Sequence, residues 1–286
     1  MHCIEPPRPV TVECMTQPWS VSRLAARAVT LAVLIALTCG ISRAEQASQV
    51  AIAGFDAYVR SFEARLAVQH RQEARFVVLA GPSAQTSARL RRGELVIENL
   101  TPANIDLPGA MIYHWRGAAF VPGATAADLE RILRDFAAYP QIYSPQVLSA
   151  NVLSQNDDRY RATMRVRQKH IISVVLDTTY DIVFGRLDGL RGWSSSRSTH
   201  IDEISNAGTK SERVLTPADQ HGFLWRLNTY WTYEEHDGGI YMQIESVSLA
   251  RSIPPGLGWV IGPFVESVPR ESLEFTLRAT CYALRR

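Results

Sequence analysis

Cysteine is nearly absent from this chain. It has four in 286 residues, and three of them, Cys3, Cys14 and Cys39, lie before Ala44. Beyond that point only Cys281 is left. One thiol excludes an internal disulfide and any cysteine-based metal set; on a helix it reads as a small packing residue before a reactive one. A dominant charge is missing too. Thirty Lys and Arg face 28 Asp and Glu, a net charge of +2, so there is no whole-chain footprint for nucleic acid. Motifs that announce chemistry are also missing: no P-loop, no G-x-G-x-x-G, no H-E-x-x-H and no nucleophile elbow. No catalytic residue, metal ligand or cofactor is assigned.

Long apolar runs are equally scarce. The longest, Ala28 to Leu37, is about half the roughly 20 residues a bilayer-spanning helix needs. Arg23 and Arg27 precede it and Ser42-Arg43-Ala44 follows. A basic start, an apolar middle and a small-residue end form a secretory signal. The expectation is cleavage after Ala44 and a periplasmic or secreted protein.

What is present is an ordered alternation of patterns. Phe55, Val59, Phe62 and Leu66 follow the helical period. "ARFVVLAG" and "RLRRGELVIENL" read as two short strands, with a Gly-, Pro- and Ser-rich segment between them. "TPANIDLPG" reads as a linker. The organisation expected is therefore a signal at 1–44, an N-terminal helix and two-strand extension at 45–108, and a main domain at 109–286. That domain opens with the strand "AMIYHWRGAAFVPG". A helix follows, capped by Thr125 with Asp128 in its first turn and ended by Pro140. About six strands come next, separated by turns such as "QNDD" and "HDGG".

The chain closes on "RSIPPGLGWVIGPFVESVPRESLEFTLRATCYALRR". Leu273, Leu277, Thr280 and Leu284 share one helical face, while Arg270, Glu274 and Arg278 form a solvated side. Pro269 suits a first helical turn, and "GLGWVIG" reads as a turn with a close helix–sheet contact. An amphipathic helix after a run of strands needs a sheet to lie on. The predicted fold class is α+β, a curved antiparallel sheet gripping a long C-terminal helix.

This order of elements, with "PPGLGWVIGPFVESVPRESLEFTLR" at its end, resembles the START-like or SRPBCC superfamily, which includes lipid-transfer, coenzyme Q-binding and polyketide cyclase proteins. The resemblance covers roughly residues 109–286. It implies a helix-grip fold with an apolar cavity and, as partner, a hydrophobic small molecule or lipid.

Alternation places the candidate ligand-binding residues. In "RYRATMRVRQKH", Tyr160, Ala162, Met164 and Val166 face inward, and Gln168 and His170 end that row. As ligand contacts those two would fix a polar head, since pockets set a few polar groups in apolar walls; the alternative is a rim position facing water or backbone. The opposite face, Arg161, Thr163, Arg165, Arg167 and Lys169, is either ordinary solvated surface or a contact for an anionic membrane surface. In "DTTYDIVFG", Tyr180 faces in and Asp177 and Asp181 face water. In "FLWRLNTYWTYEE", Trp225, Leu227, Trp231 and Tyr233 share a face opposite Arg226, Asn228 and Tyr230. Glu245 is either outward or an anchor at the pocket edge, and if buried it needs a partner such as Arg226 or Arg197. Met164, Gln168, His170, Tyr180, Trp231 and Glu245 are thus the candidate ligand contacts. Three functions fit: a binding or transfer module, a cyclase- or hydratase-type enzyme using Tyr180, His170 or Glu245 as acid or base, and a non-catalytic envelope interaction protein.

Overall fold

A computed structural model describes residues 46–72, 76–77, 84–103, 105–169, 173–253 and 258–286. The signal expected at 1–44, most of the strand expected at 74–81, and His170 lie outside the described residues. Helix α1 (Gln49–Gln69) starts at Ser48, whose hydroxyl accepts from the Ala51 N–H at 3.1 Å. Helix α2 (Ala84–Arg91) occupies a segment read from sequence as loop and the start of a strand. Leu90 anchors it in a small core with Val96, Phe120 and Tyr241, and that tertiary contact overrides the local pattern. Strand β1 (Val96–Asn99) follows, then β2 (Ala110–Pro122) and α3 (Ala126–Arg134). The Thr125 cap forms as expected: its hydroxyl accepts from the Asp128 N–H, and the Asp128 carboxylate accepts in return from the Thr125 N–H. A short 3-10 turn and α4 (Tyr139–Ile142) lead into β3 (Val147–Asn156), β4 (Arg159–Lys169), β5 (Ser173–Arg186), β6 (Arg191–Ser205) and the two-residue β7 (Arg213–Val214). Strands β8 (Arg226–His236) and β9 (Gly239–Arg251) precede the terminal helix α5 (Gly258–Leu284).

All nine strands form one antiparallel sheet in the order β1-β2-β9-β8-β6-β5-β4-β3, with β7 on β6. The β8–β9 hairpin turns through Asp237 and Gly238, both at positive φ, as an Asp-Gly turn requires. Both edges are blunted against further pairing: β1 has four residues, and β3 carries two register shifts.

The two faces of the sheet hold different cores. On the concave face, Ala119, Val121, Tyr180, Ile182, Phe184, Trp231, Tyr233, Met242 and Ile244 pack with Leu273, Leu277 and Cys281 of α5 and with Leu129 and Leu133 of α3. This is the helix-grip arrangement expected from the sequence. Helix α5 begins near Gly258 and runs through Pro263 and Pro269, so the helix includes "GWVIG" and Pro269 is interior. On the convex face, Phe55, Val59, Phe62 and Leu66 of α1 bury themselves against Ile112, Tyr230, Val247 and Leu249. The segment before residue 109 therefore shares the sheet: α1 covers its back and β1 extends it beside β2.

Candidate functional site

Three of the candidate contacts meet on the concave face. Tyr180 on β5 lies opposite Ala162, Met164 on β4 lies opposite Thr178, and Trp231 on β8 lies between Ser194 and Ile244. Tyr180 and Trp231 are buried in the core that grips α5, and Met164 packs against it half-buried. The alternation read from sequence placed these side chains correctly, because a strand's side-chain period of two holds along each pleat. Gln168 ends the same row and reaches the helix: its Nε2 donates to Ser272 Oγ at 3.1 Å.

Burial along this row is uneven. Tyr160 and Ala162 are 8% and 0% exposed, whereas Met164, Val166 and Gln168 are each half-buried. At the closed end, Arg134 of α3 lies 4.1 Å over the Phe184 ring and donates to Glu130, Asp158 and the Tyr160 hydroxyl. The buried Glu130 also accepts from Arg186 and Tyr233. That network seals one end of the grip. Toward the other end the sheet–helix interior loosens around Met164 and Gln168.

The interior is apolar with a few neutral hydroxyls. Burial raises the Tyr180 phenol to about 12, with Thr178 as its hydrogen-bond partner. Burial likewise raises Tyr143 to about 12, and its hydroxyl meets Thr280 Oγ1 of α5 at 3.1 Å. Both phenols stay protonated at neutral pH, so they can hydrogen-bond a ligand oxygen but not act as a base. The sequence reading put Thr280 on one face of the terminal helix and missed Tyr143, which caps a short helical turn with no periodic signal.

Glu245 is elsewhere. It is 1% exposed and faces α1 on the convex side, because odd-numbered residues of β9 point away from Met242 and Ile244. The partners expected from sequence, Arg226 and Arg197, are not the ones it has. Its carboxylate accepts from Arg65 of α1 at 3.0 Å, from Gln243 at 2.9 Å and from the His114 ring at 3.2 Å. His114 Nδ1 meets the Tyr58 hydroxyl at 2.6 Å. Burial pushes the Glu245 carboxyl up, but the His114 hydrogen bond and the Arg65, Arg116 and His114 charges outweigh it and hold the carboxyl below its ordinary value. Trp225 also departs from the expected face. It precedes β8, outside the pleat, and packs on the convex core. The basic row of β4 is partly neutralised: Arg165 is paired with Asp177 and Glu212. Among the described residues no group of three or more His, Cys, Asp or Glu side chains is placed to hold a metal.

No family model and no curated protein matches the chain. Solved structures similar in fold are START-type proteins and aromatic cyclases. A STAR-related lipid transfer protein from Xanthomonas axonopodis is 20% identical, with a TM-score of 0.41 over 66% of this chain and 99% of that one. The Zhui aromatase/cyclase from Streptomyces sp. R1128 is 15% identical, with a TM-score of 0.42 over 61% and 94%. Human STARD10 is 8% identical, with a TM-score of 0.40 over 70% and 80%.

Proposed function

We propose that this is an exported protein that binds or carries a hydrophobic small molecule or lipid between the concave face of the sheet and α5. The observation that carries the reading is the burial gradient along β4, from Tyr160 and Ala162, fully packed, to Met164, Val166 and Gln168, half-buried beside the helix. An apolar wall that stays partly open next to a polar pair, Gln168 and Ser272, suits a ligand with an apolar body and one polar group. The neutral Tyr180 and Tyr143 hydroxyls would add hydrogen bonds inside the wall. Export rests on the leader ending at Ala44.

Met164→Trp fills the loose end. Titration with the neutral probe N-phenyl-1-naphthylamine is expected to show saturable binding in the parent and at least tenfold weaker binding in the variant, with melting temperature retained. A parent that binds no probe, with a variant destabilised by about 1–3 kcal/mol through overpacking, would mean that the space is solid core. N-terminal sequencing of the protein from the periplasmic fraction is expected to start at Glu45; full-length chain in the cytoplasm would remove export from the proposal.

A further inference from the structure

A cavity lies on the convex side of the sheet, beneath the first turn of α1. Strands β6 and β8 pair only as far as Arg197 and Asn228. Beyond that point β6 continues to Ser205 beside β5 and β7, while β8 begins at Arg226. The strands part, and the loop at 215–225 fills one side of the gap. What remains is a cavity of about 250 Å³, lined among others by Ile52, His200, Asp202, Gln220, Trp225 and Arg226.

The walls are held firmly. Glu203, 3% exposed, accepts from the backbone N–H groups of His221, Gly222 and Phe223 at 2.9, 2.9 and 3.1 Å, and from His221 Nδ1 at 2.8 Å. Those four bonds fix the loop. The Trp225 N–H then joins the Leu249 carbonyl at 2.8 Å.

The two opposite charges that line the cavity, Asp202 and Arg226, are held differently. Asp202 is already engaged: one carboxylate oxygen accepts from His200 Nε2 at 2.7 Å and the other from Gln220 Nε2 at 3.2 Å. Arg226 donates only to the Trp225 carbonyl, at 2.9 Å, and no carboxylate pairs with it among the described residues. The first turn of α1 carries no acidic side chain. A guanidinium with open donors therefore stands beside an indole and an isoleucine. A guanidinium fork matches a carboxylate, and the apolar side chains next to it favour a ligand with an apolar or aromatic body.

We infer that this convex-side cavity is a binding site for a small organic acid, with Arg226 holding the anionic group and Trp225 and Ile52 covering its apolar part. It is separate from the concave interior, so the two sites stand or fall independently.

The test is calorimetric titration of the full protein with octanoate and indole-3-acetate, each beside its neutral amide. At least one acid should bind saturably and at least tenfold more tightly than its amide. Arg226→Gln should erase that preference, and Arg226→Lys, which keeps the charge but not the fork, should retain part of it. Ile52→Trp, which fills the cavity from the helix side, should weaken the bound acid and still report if Arg226→Gln does not fold. Met164→Trp should leave the acid affinity unchanged. No saturable binding of either acid at millimolar concentration, equal affinity for acid and amide, or loss of binding in Met164→Trp with none in Arg226→Gln would each overturn the site.

Discussion

Single side chains on the convex face carry a pH signature. The His70 ring meets Thr232 Oγ1 at 2.9 Å and stacks on Trp193. Burial lowers its pKa from 6.5 to about 4, the Glu245 charge opposing and the Arg65 charge assisting. A base held neutral by the fold contributes stability above its unfolded value and loses it as the unfolded chain takes up the proton. Stability should therefore fall as pH drops from 6.5 toward 4, by on the order of 3 kcal/mol. In a domain of this size that is roughly 6–12 °C of melting temperature. His70→Gln should flatten the melting profile across that window; an unchanged slope would assign it to other groups. Glu245 acts in a lower window. Its depressed carboxyl contributes above about 4.5 and is lost below, so the two contributions separate on one pH series.

At the level of elements, the grip on α5 depends on a missing side chain. A Cβ at Gly117 of β2 would lie 2.4 Å from Leu273 Cδ2 and 2.7 Å from Leu277 Cδ1. The helix side chains lie directly on the strand there, and a side chain at 117 would have to displace both buried leucine methyl groups. Gly117→Ala should destabilise the fold by about 1–3 kcal/mol through overpacking, measured by urea denaturation; no change would show that α5 does not press on β2. The sequence announced this helix through the spacing of Leu273, Leu277 and Thr280, and announced each strand's inward face through alternation. Those signals are local, so they were legible. The start of α5 was not, because Pro269 reads as a first-turn residue and "GLGWVIG" as a turn, whereas the helix begins near Gly258 and holds both. Helix α2 was hidden because its buried residue Leu90 finds its partners on β1, β2 and β9, far from any local pattern.

For the whole molecule, the two-sided sheet is the main departure from expectation. Glu245 was legible as a residue that needs a partner if buried. Its partners were not, since Arg65 is 180 residues away and no local pattern links them. Deleting residues 46–72 would remove Arg65 from a buried carboxylate and uncover Tyr230, Val247 and Leu249. Arg65 is 45% exposed and Glu245 keeps His114 and Gln243, so this loss costs less than the roughly 3–5 kcal/mol of a fully buried pair, and the bared apolar face adds to it. The truncated chain is expected to be aggregated or without a cooperative melt; a soluble, cooperatively melting product would mean that the sheet folds without α1.

Strand order also sets a timetable for a chain made from its N-terminus. Strand β2 pairs with β9 along its whole length, from Ala110 with Arg251 to Pro122 with Gly239, and α1 rests on β8 and β9 as well as on β2. Strand β2 and helix α1 must therefore wait for the last hairpin to be synthesised. Until then the β2 edge is open and the apolar stripe of α1 is unprotected. Contacts this distant in sequence slow folding and leave the intermediate prone to association. A ribosome-bound chain halted before residue 239 should therefore recruit a holding chaperone that the completed chain releases.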